Sequence, residues 1–206
     1  KVFNREEAEK ALKKRNINIL LNTNVEEIHE HEIYIKNEFD KKNKLQHKAI
    51  IWTAGVKANL PYLKNDVTRL FGKLVINKFL QINEFKNVFA LGDISIIEGQ
   101  EDLPSTAQLA MQQGEHAANN INLSINKKEL LPFDFKDNGE MISLGLGEAS
   151  ISALGITLSG KLAFDLRRLI YAYKMPLIEK SFKSAASWLI NKKSIFSKIL
   201  NKNLYK

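Results

Sequence analysis

With 206 residues, 44% of them apolar, the chain can bury one sizeable core or two small ones and has the composition of a folded protein. It has no cysteine, which excludes disulfide scaffolds, thiolate metal sites, iron–sulfur clusters and dithiol redox chemistry, so any redox role needs a bound cofactor. The net charge of +8 is concentrated late: residues 161–206 hold eleven Lys or Arg against Asp165 and Glu179, a net of +9, leaving −1 on residues 1–160, so the folded part lacks the basic face of a nucleic-acid binder.

In chain order, Asn4-Arg5-Glu6-Glu7 opens a polar helix that runs to Arg15 with Asn4 as its cap. Residues 17–21 and 25–28 are expected as strands, and the alternation of His31-Glu32-Ile33-Tyr34-Ile35 predicts a half-buried antiparallel strand. Residues 40–44 form a charged turn. Ile50-Ile51-Trp52 is an apolar strand stopping at the turn chemistry of Thr53-Ala54-Gly55, and residues 71–81 make a small β element. A buried strand, Asn87-Val88-Phe89-Ala90-Leu91, then runs into Gly92-Asp93. Pro104 fits just inside a helix start, Ser105-Thr106-Ala107-Gln108 has capping-box spacing, and the helix continues to about Ile121. A tight turn at Asp137-Asn138-Gly139-Glu140 leads into residues 141–145 and then 149–158. The four histidines, His29, His31, His47 and His116, make no ligand pattern with carboxylates, so no metal is expected. No apolar run approaches the roughly 20 residues that span a bilayer, and the first residues lack a signal-peptide layout.

The 87–93 segment carries the most chemistry. A strand delivers the backbone to a sheet edge, Gly92 lets the chain pass close to a ligand without a Cβ, and Asp93 offers an acceptor for ligand hydroxyls, as a flavin site requires. The other reading is an ordinary strand-turn junction. The helix after Pro104 presents the positive end of its dipole, suited to the charge that gathers on a reduced flavin; equally it is a capped helix. On it, Gln108 and Gln112 stand four residues apart on one face beside Met111, either a site or a solvated polar stripe.

Taken in order, the Ile-Ile-Trp-Thr-Ala-Gly strand, the 71–81 element, Ala-Leu-Gly-Asp at 90–93 and Ala-Gln-x-Ala-x-Gln at 107–112 resemble the C-terminal part of the type II NADH dehydrogenases, single-subunit NAD(P)H:quinone oxidoreductases, and are nearest the cyanobacterial and plastid members. The resemblance implies an α/β fold that is the C-terminal half of a two-Rossmann-domain flavoprotein. Residues 1–52 would close the NAD(P)H-binding domain, 53–140 form the C-terminal part of the FAD-binding domain, and 141–206 complete the quinone site and membrane anchor. It implies FAD as cofactor and NAD(P)H as substrate. FAD contacts fall on Ala54, Gly55, Gly92, Asp93, Thr106, Ala107 and Gln108, and quinone contacts on Gln108, Met111 and Gln112. No side chain need act as a nucleophile, since the flavin carries the chemistry.

Two departures stand out. No Gly-x-Gly-x-x-Gly follows a strand, and the closest cluster, Leu144-Gly145-Leu146-Gly147, lacks the third glycine, so the partner expected is a missing N-terminal half bearing the dinucleotide loops. Glu148 stands where several relatives place a basic residue near the flavin, which puts any ion pair there in doubt. From Leu177 on, Phe182, Trp188, Ile195 and Phe196 alternate with lysines as in a helix lying among lipid headgroups, implying a peripheral protein of a bacterial inner, thylakoid or organelle membrane. A helix packed on its own domain, or a homodimer interface, is the other reading of that tail. The rival functions are a flavin-dependent oxidoreductase with a soluble acceptor and a non-catalytic membrane- or partner-binding relic.

Overall fold

The computed structural model describes residues 1–64, 66–175, 177, 179, 180 and 183. It is a mixed α/β structure in two compact units, one formed by Lys1–His47 with the described residues from Asn138 on, the other by Lys48–Asp137. The tail expected as a membrane anchor lies almost wholly outside the described residues. Among those described, no helix is long and apolar enough to cross a membrane.

The first helix, α1 (Val2–Lys14), begins two residues before the expected cap, so Asn4 does not cap it. Asn4 lies instead inside the first turn, fully buried, where its Nδ2 donates to Glu140 Oε2 at 2.9 Å and its Oδ1 accepts from Ser150 Oγ. A short amide can cap a helix or bond a neighbouring sheet, and here the sheet wins because burial makes an unpaired amide costly. Residues 17–21 form no strand, since a strand exists only where a ladder partner takes its N–H and C=O groups and none is offered among the described residues. The chain pairs first at β1 (Thr23–Ile28), which joins β2 (Glu32–Asn37) and β3 (Lys42–Gln46) in an antiparallel sheet ordered β1-β2-β3. Most of the expected charged turn at 40–44 is therefore strand, Lys42 and Lys44 projecting to Glu26 and Glu32.

In the Lys48–Asp137 unit, residues 50–56 are irregular rather than a strand, again without a ladder partner; Ile51 is 90% exposed. The sheet consists of β4 (Arg69–Leu70), β5 (Lys73–Ile76), β6 (Gln81–Ile82) and β7 (Phe85–Phe89) in that order, with β8 (Ser95–Ile97) parallel to β5. β5 is the buried centre. β7 is an edge strand with Lys86, Asn87 and Val88 exposed, not the buried strand expected; burial begins past its end, at Ala90. Helix α2 (Ala107–Ile125) covers the sheet and closes a core of Leu74, Ile76, Leu80, Ile82, Leu109 and Phe133 with their neighbours. Its cap is Thr106, whose Oγ1 accepts the Leu109 N–H at 3.2 Å, one residue later than the Ser105 box; Ser105 Oγ accepts from Lys73 Nζ at 2.6 Å.

The chain then returns to the first unit through β9 (Glu140–Gly145), β10 (Glu148–Ala153) and β11 (Ile156–Ser159), an antiparallel sheet ordered β11-β10-β9, and ends its described structure with α3 (Gly160–Tyr173). Residues 149–158 form a hairpin turning at Leu154-Gly155. Ala163 of α3 packs on Ala149 and Ile151. The Gly145-Leu146-Gly147 cluster is the turn between β9 and β10, with no role as a dinucleotide loop.

Candidate functional site

Beyond β7 the backbone leaves the ladder: the Ala90 N–H still donates to Leu80 O at 3.1 Å, then the chain enters a single 3-10 turn, Gly92–Ile94. Gly92 has φ +71°, a left-handed conformation that side chains resist, and a Cβ there would stand 3.4 Å from Ala110 Cβ on α2. It is the turn that calls for glycine; against Ala110 a Cβ would stand only in ordinary contact. The Gly92 N–H donates to Gln113 Oε1 at 2.7 Å, and the Gly92 carbonyl accepts from Ser95 Oγ at 3.2 Å. Asp93, next in the chain, is exposed with its carboxylate available to solvent.

The helix meets this turn through small residues. Ala110, Gln113, Gly114 and Ala117 follow the i, i+3, i+4, i+7 spacing that places them on one face, and Gly114 brings Leu91 Cδ1 to 4.0 Å of its would-be Cβ. At about 100° per residue, Gln108 and Gln112 stand roughly 160° around the helix from Ala110. Gln112 is engaged on that side: its Nε2 donates to Lys136 O at 2.9 Å and its Oε1 accepts from Lys136 N–H at 3.0 Å, holding the segment before Asp137 as a strand partner would. Met111 is half exposed. Thr106 is committed to the cap, while Ala107 and Gln108 open the helix at the positive end of its dipole. The structure therefore brings together Gly92, Asp93 and the first turns of α2. Ala54 and Gly55 are exposed, and Gly55 has no heavy atom within 4 Å of its would-be Cβ, so that turn is not packed on the others.

Gln113 is absent from the residues singled out in the sequence. Its signal is a glutamine set among alanine and glycine at helical spacing, the mark of a buried polar group rather than a solvated one. Glu148 also resolves differently from expectation. It accepts from Lys14 Nζ at 2.9 Å and Arg15 Nη2 at 2.6 Å, and these bonds, Lys14's first, hold its carboxyl below the ordinary carboxylate range. The acid thus finds its cations on α1. Among the described residues no group of three or more His, Asp or Glu side chains could hold a metal ion.

Residues 3–114, more than half the chain, match the family model described as pyridine nucleotide-disulphide oxidoreductase, and the chain belongs to that family. Its relatives within the family are quinone reductases. It is 33% identical over 196 residues to the demethylphylloquinone reductase NdbB of Synechocystis, covering 91% of this chain and 47% of that protein. It is 32% identical over 224 residues to the alternative NAD(P)H-ubiquinone oxidoreductase C1 of Arabidopsis thaliana, covering 98% of this chain and 43% of the relative. In fold it is similar to NDH2 from Plasmodium falciparum in complex with NADH, with TM-score 0.75 at 15% identity over 92% of this chain and 54% of that one. The chain spans about half the length of the curated relatives it matches.

Proposed function

We propose that this chain is the C-terminal part of a type II NADH:quinone oxidoreductase, contributing part of an FAD site and the quinone site of a two-Rossmann-domain flavoenzyme. The observation that carries the reading is the seating of the Gly92-Asp93 turn on the small face of α2 beside that helix's N-terminal turn. The residues present fit one portion of the cofactor. The approach at Gly92 leaves no side chain in the way, Asp93 would accept a hydrogen bond from a hydroxyl of the bound cofactor, and the N–H groups at the start of α2 would favour negative charge on the reduced flavin. When bound, FAD supplies the chemistry, receiving a hydride from NAD(P)H and passing two electrons to quinone.

What the chain's own residues do is position and polarise. Thr106 fixes where α2 starts, Ala107 and Gln108 present its first amides, and Gln108, Met111 and Gln112 would meet the quinone, with Ala54 and Gly55 approaching the cofactor once their segment is covered. Grip on the pyrophosphate must come from outside residues 1–206, which carry no Gly-x-Gly-x-x-Gly loop. In this reading residues 1–52 close the nucleotide domain, 53–140 belong to the FAD domain, and 141–206 reach the quinone and the membrane. The basic, aromatic segment 177–206 would hold the enzyme peripherally at a lipid surface, from which an apolar quinone is drawn.

The test is to produce the chain together with the N-terminal half of the Synechocystis relative and record flavin absorbance and NADH-dependent reduction of a short-chain quinone. A yellow, quinone-reducing complex is the expected result, with Asp93→Ala lowering FAD affinity about tenfold, as loss of one charge-assisted hydrogen bond does. A soluble, colourless and inactive complex overturns the reading. Full activity after removal of 177–206, with membrane quinone as acceptor, overturns the anchor.

A further inference from the structure

We propose that Gln113 is a positioning residue for the flavin site, its side-chain carbonyl holding the Gly92 amide so that the Gly92-Asp93 turn keeps its aim; the inference rests on the flavoenzyme reading above. Glutamine is mostly a surface residue, yet Gln113 is only 2% exposed, on the helix face that also buries Leu109, Ala117 and Asn120. Packing alone does not ask for an amide there. A methionine or leucine would fill the same space without the cost of burying a polar group.

The amide answers a specific need. β7 ends at Phe89, the Ala90 N–H donates to Leu80 O just ahead of β6, and by Gly92 the left-handed turn has taken the backbone out of the ladder. The Gly92 N–H lies in a half-buried turn against Ala110, outside any ladder, and calls for an acceptor. Gln113 Oε1 supplies it at 2.7 Å. That bond fixes the plane of the Leu91–Gly92 peptide, and with Ser95 Oγ on the Gly92 carbonyl it fixes the next peptide too, the one that carries Asp93. Gln113 thereby acts through the backbone on a residue it does not touch.

Two near-isosteric variants separate positioning from packing: Gln113→Met keeps the volume and loses the acceptor, and Gln113→Glu keeps an acceptor oxygen. Backbone amide exchange is measured on the chain itself, and FAD dissociation and the visible flavin spectrum on the complex with the Synechocystis N-terminal half. For Gln113→Met we expect Gly92 exchange at least about tenfold faster than in the parent and FAD held about tenfold more weakly, with a perturbed flavin band and little change in melting temperature. Gln113→Glu restores both exchange protection and affinity. Parental FAD affinity in Gln113→Met overturns the inference while leaving the enzyme reading intact. If Gln113→Met does not fold, the test passes to Gln113→Glu, where protection of Gly92 with parental FAD affinity supports the inference and protection without FAD binding overturns it. A parent complex that binds no FAD overturns the enzyme reading and this inference together.

Discussion

Residues 50–55 and 87–93 lie in the same unit, share the pattern of a short apolar run ending at glycine, and were both expected to border a flavin, yet only the second is built into the fold. The 87–93 run has β6 beside it, a core residue at Ala90 and the face of α2 behind Gly92. Among the described residues the 50–55 run has none of these and stays irregular and open, with Ile51 and Trp52 exposed. Strand propensity is therefore not a property a segment can express alone. It is a claim on a neighbour, realised at 87–93 and unmet at 50–55.

Mutations should divide along the same line. Ile76→Ala, at a wholly buried position of the strand beside β6, is expected to cost about 2–5 kcal/mol in urea unfolding, enough to show whether the packed half of the unit is one cooperative body. Thr106→Ala, which removes the cap behind the Gly92 turn, should cost about 1 kcal/mol by the same measurement, with Ser unable to worsen it. Glu84→Gln probes the tie between Thr68, just ahead of β4, and the turn between β6 and β7. Glu84 accepts from Thr68 Oγ and from Thr68 N–H at 2.8 Å, and these bonds, the hydroxyl's first, hold its carboxyl below 4.5. A carboxyl whose folded pKa is depressed stabilises the fold above its unfolded value and loses that contribution as pH falls through the folded one. The parent's urea midpoint should thus exceed the variant's at pH 7, and the gap should close as pH drops below about 4.5. Ile51→Ala, at the open end of the comparison, should change stability by no more than about 0.5 kcal/mol. A larger loss would mean that 50–55 is packed after all.

What was legible in the sequence follows from the reach of each interaction. Helix α2, the alternation of β2 and the turn at Gly92-Asp93 depend on neighbours within a few residues, and the pattern carried them. The start of α2 moved by one residue because Ser105 and Thr106 are chemically equal candidates, and Lys73, distant in sequence, takes Ser105. Asn4 was misplaced for the same reason at longer range, since nothing near it announces Glu140 and Ser150. Glu148 looked like a lost ion pair until α1 brought Lys14 and Arg15 to it. Of the candidate site, the strand, glycine and carboxylate were readable in order; the buried amide of Gln113 was not, because one polar residue beside Gln112 looks like a continuation of the same stripe.

The join between Lys14 and Glu148 closes a loop of 134 residues, and the whole Lys48–Asp137 unit lies inside it. A chain emerging in order makes α1 and β1–β3 long before the sheet on which α1 rests exists. The inserted unit, whose strands and helix are close in sequence, can assemble by itself and shorten the span the remaining ends must search, a search whose entropic penalty grows only with the logarithm of loop length. Folding should therefore be hierarchical, with the unit carrying the Gly92 turn mature first and α1 left to wait, its buried asparagine still in water, for strands made last.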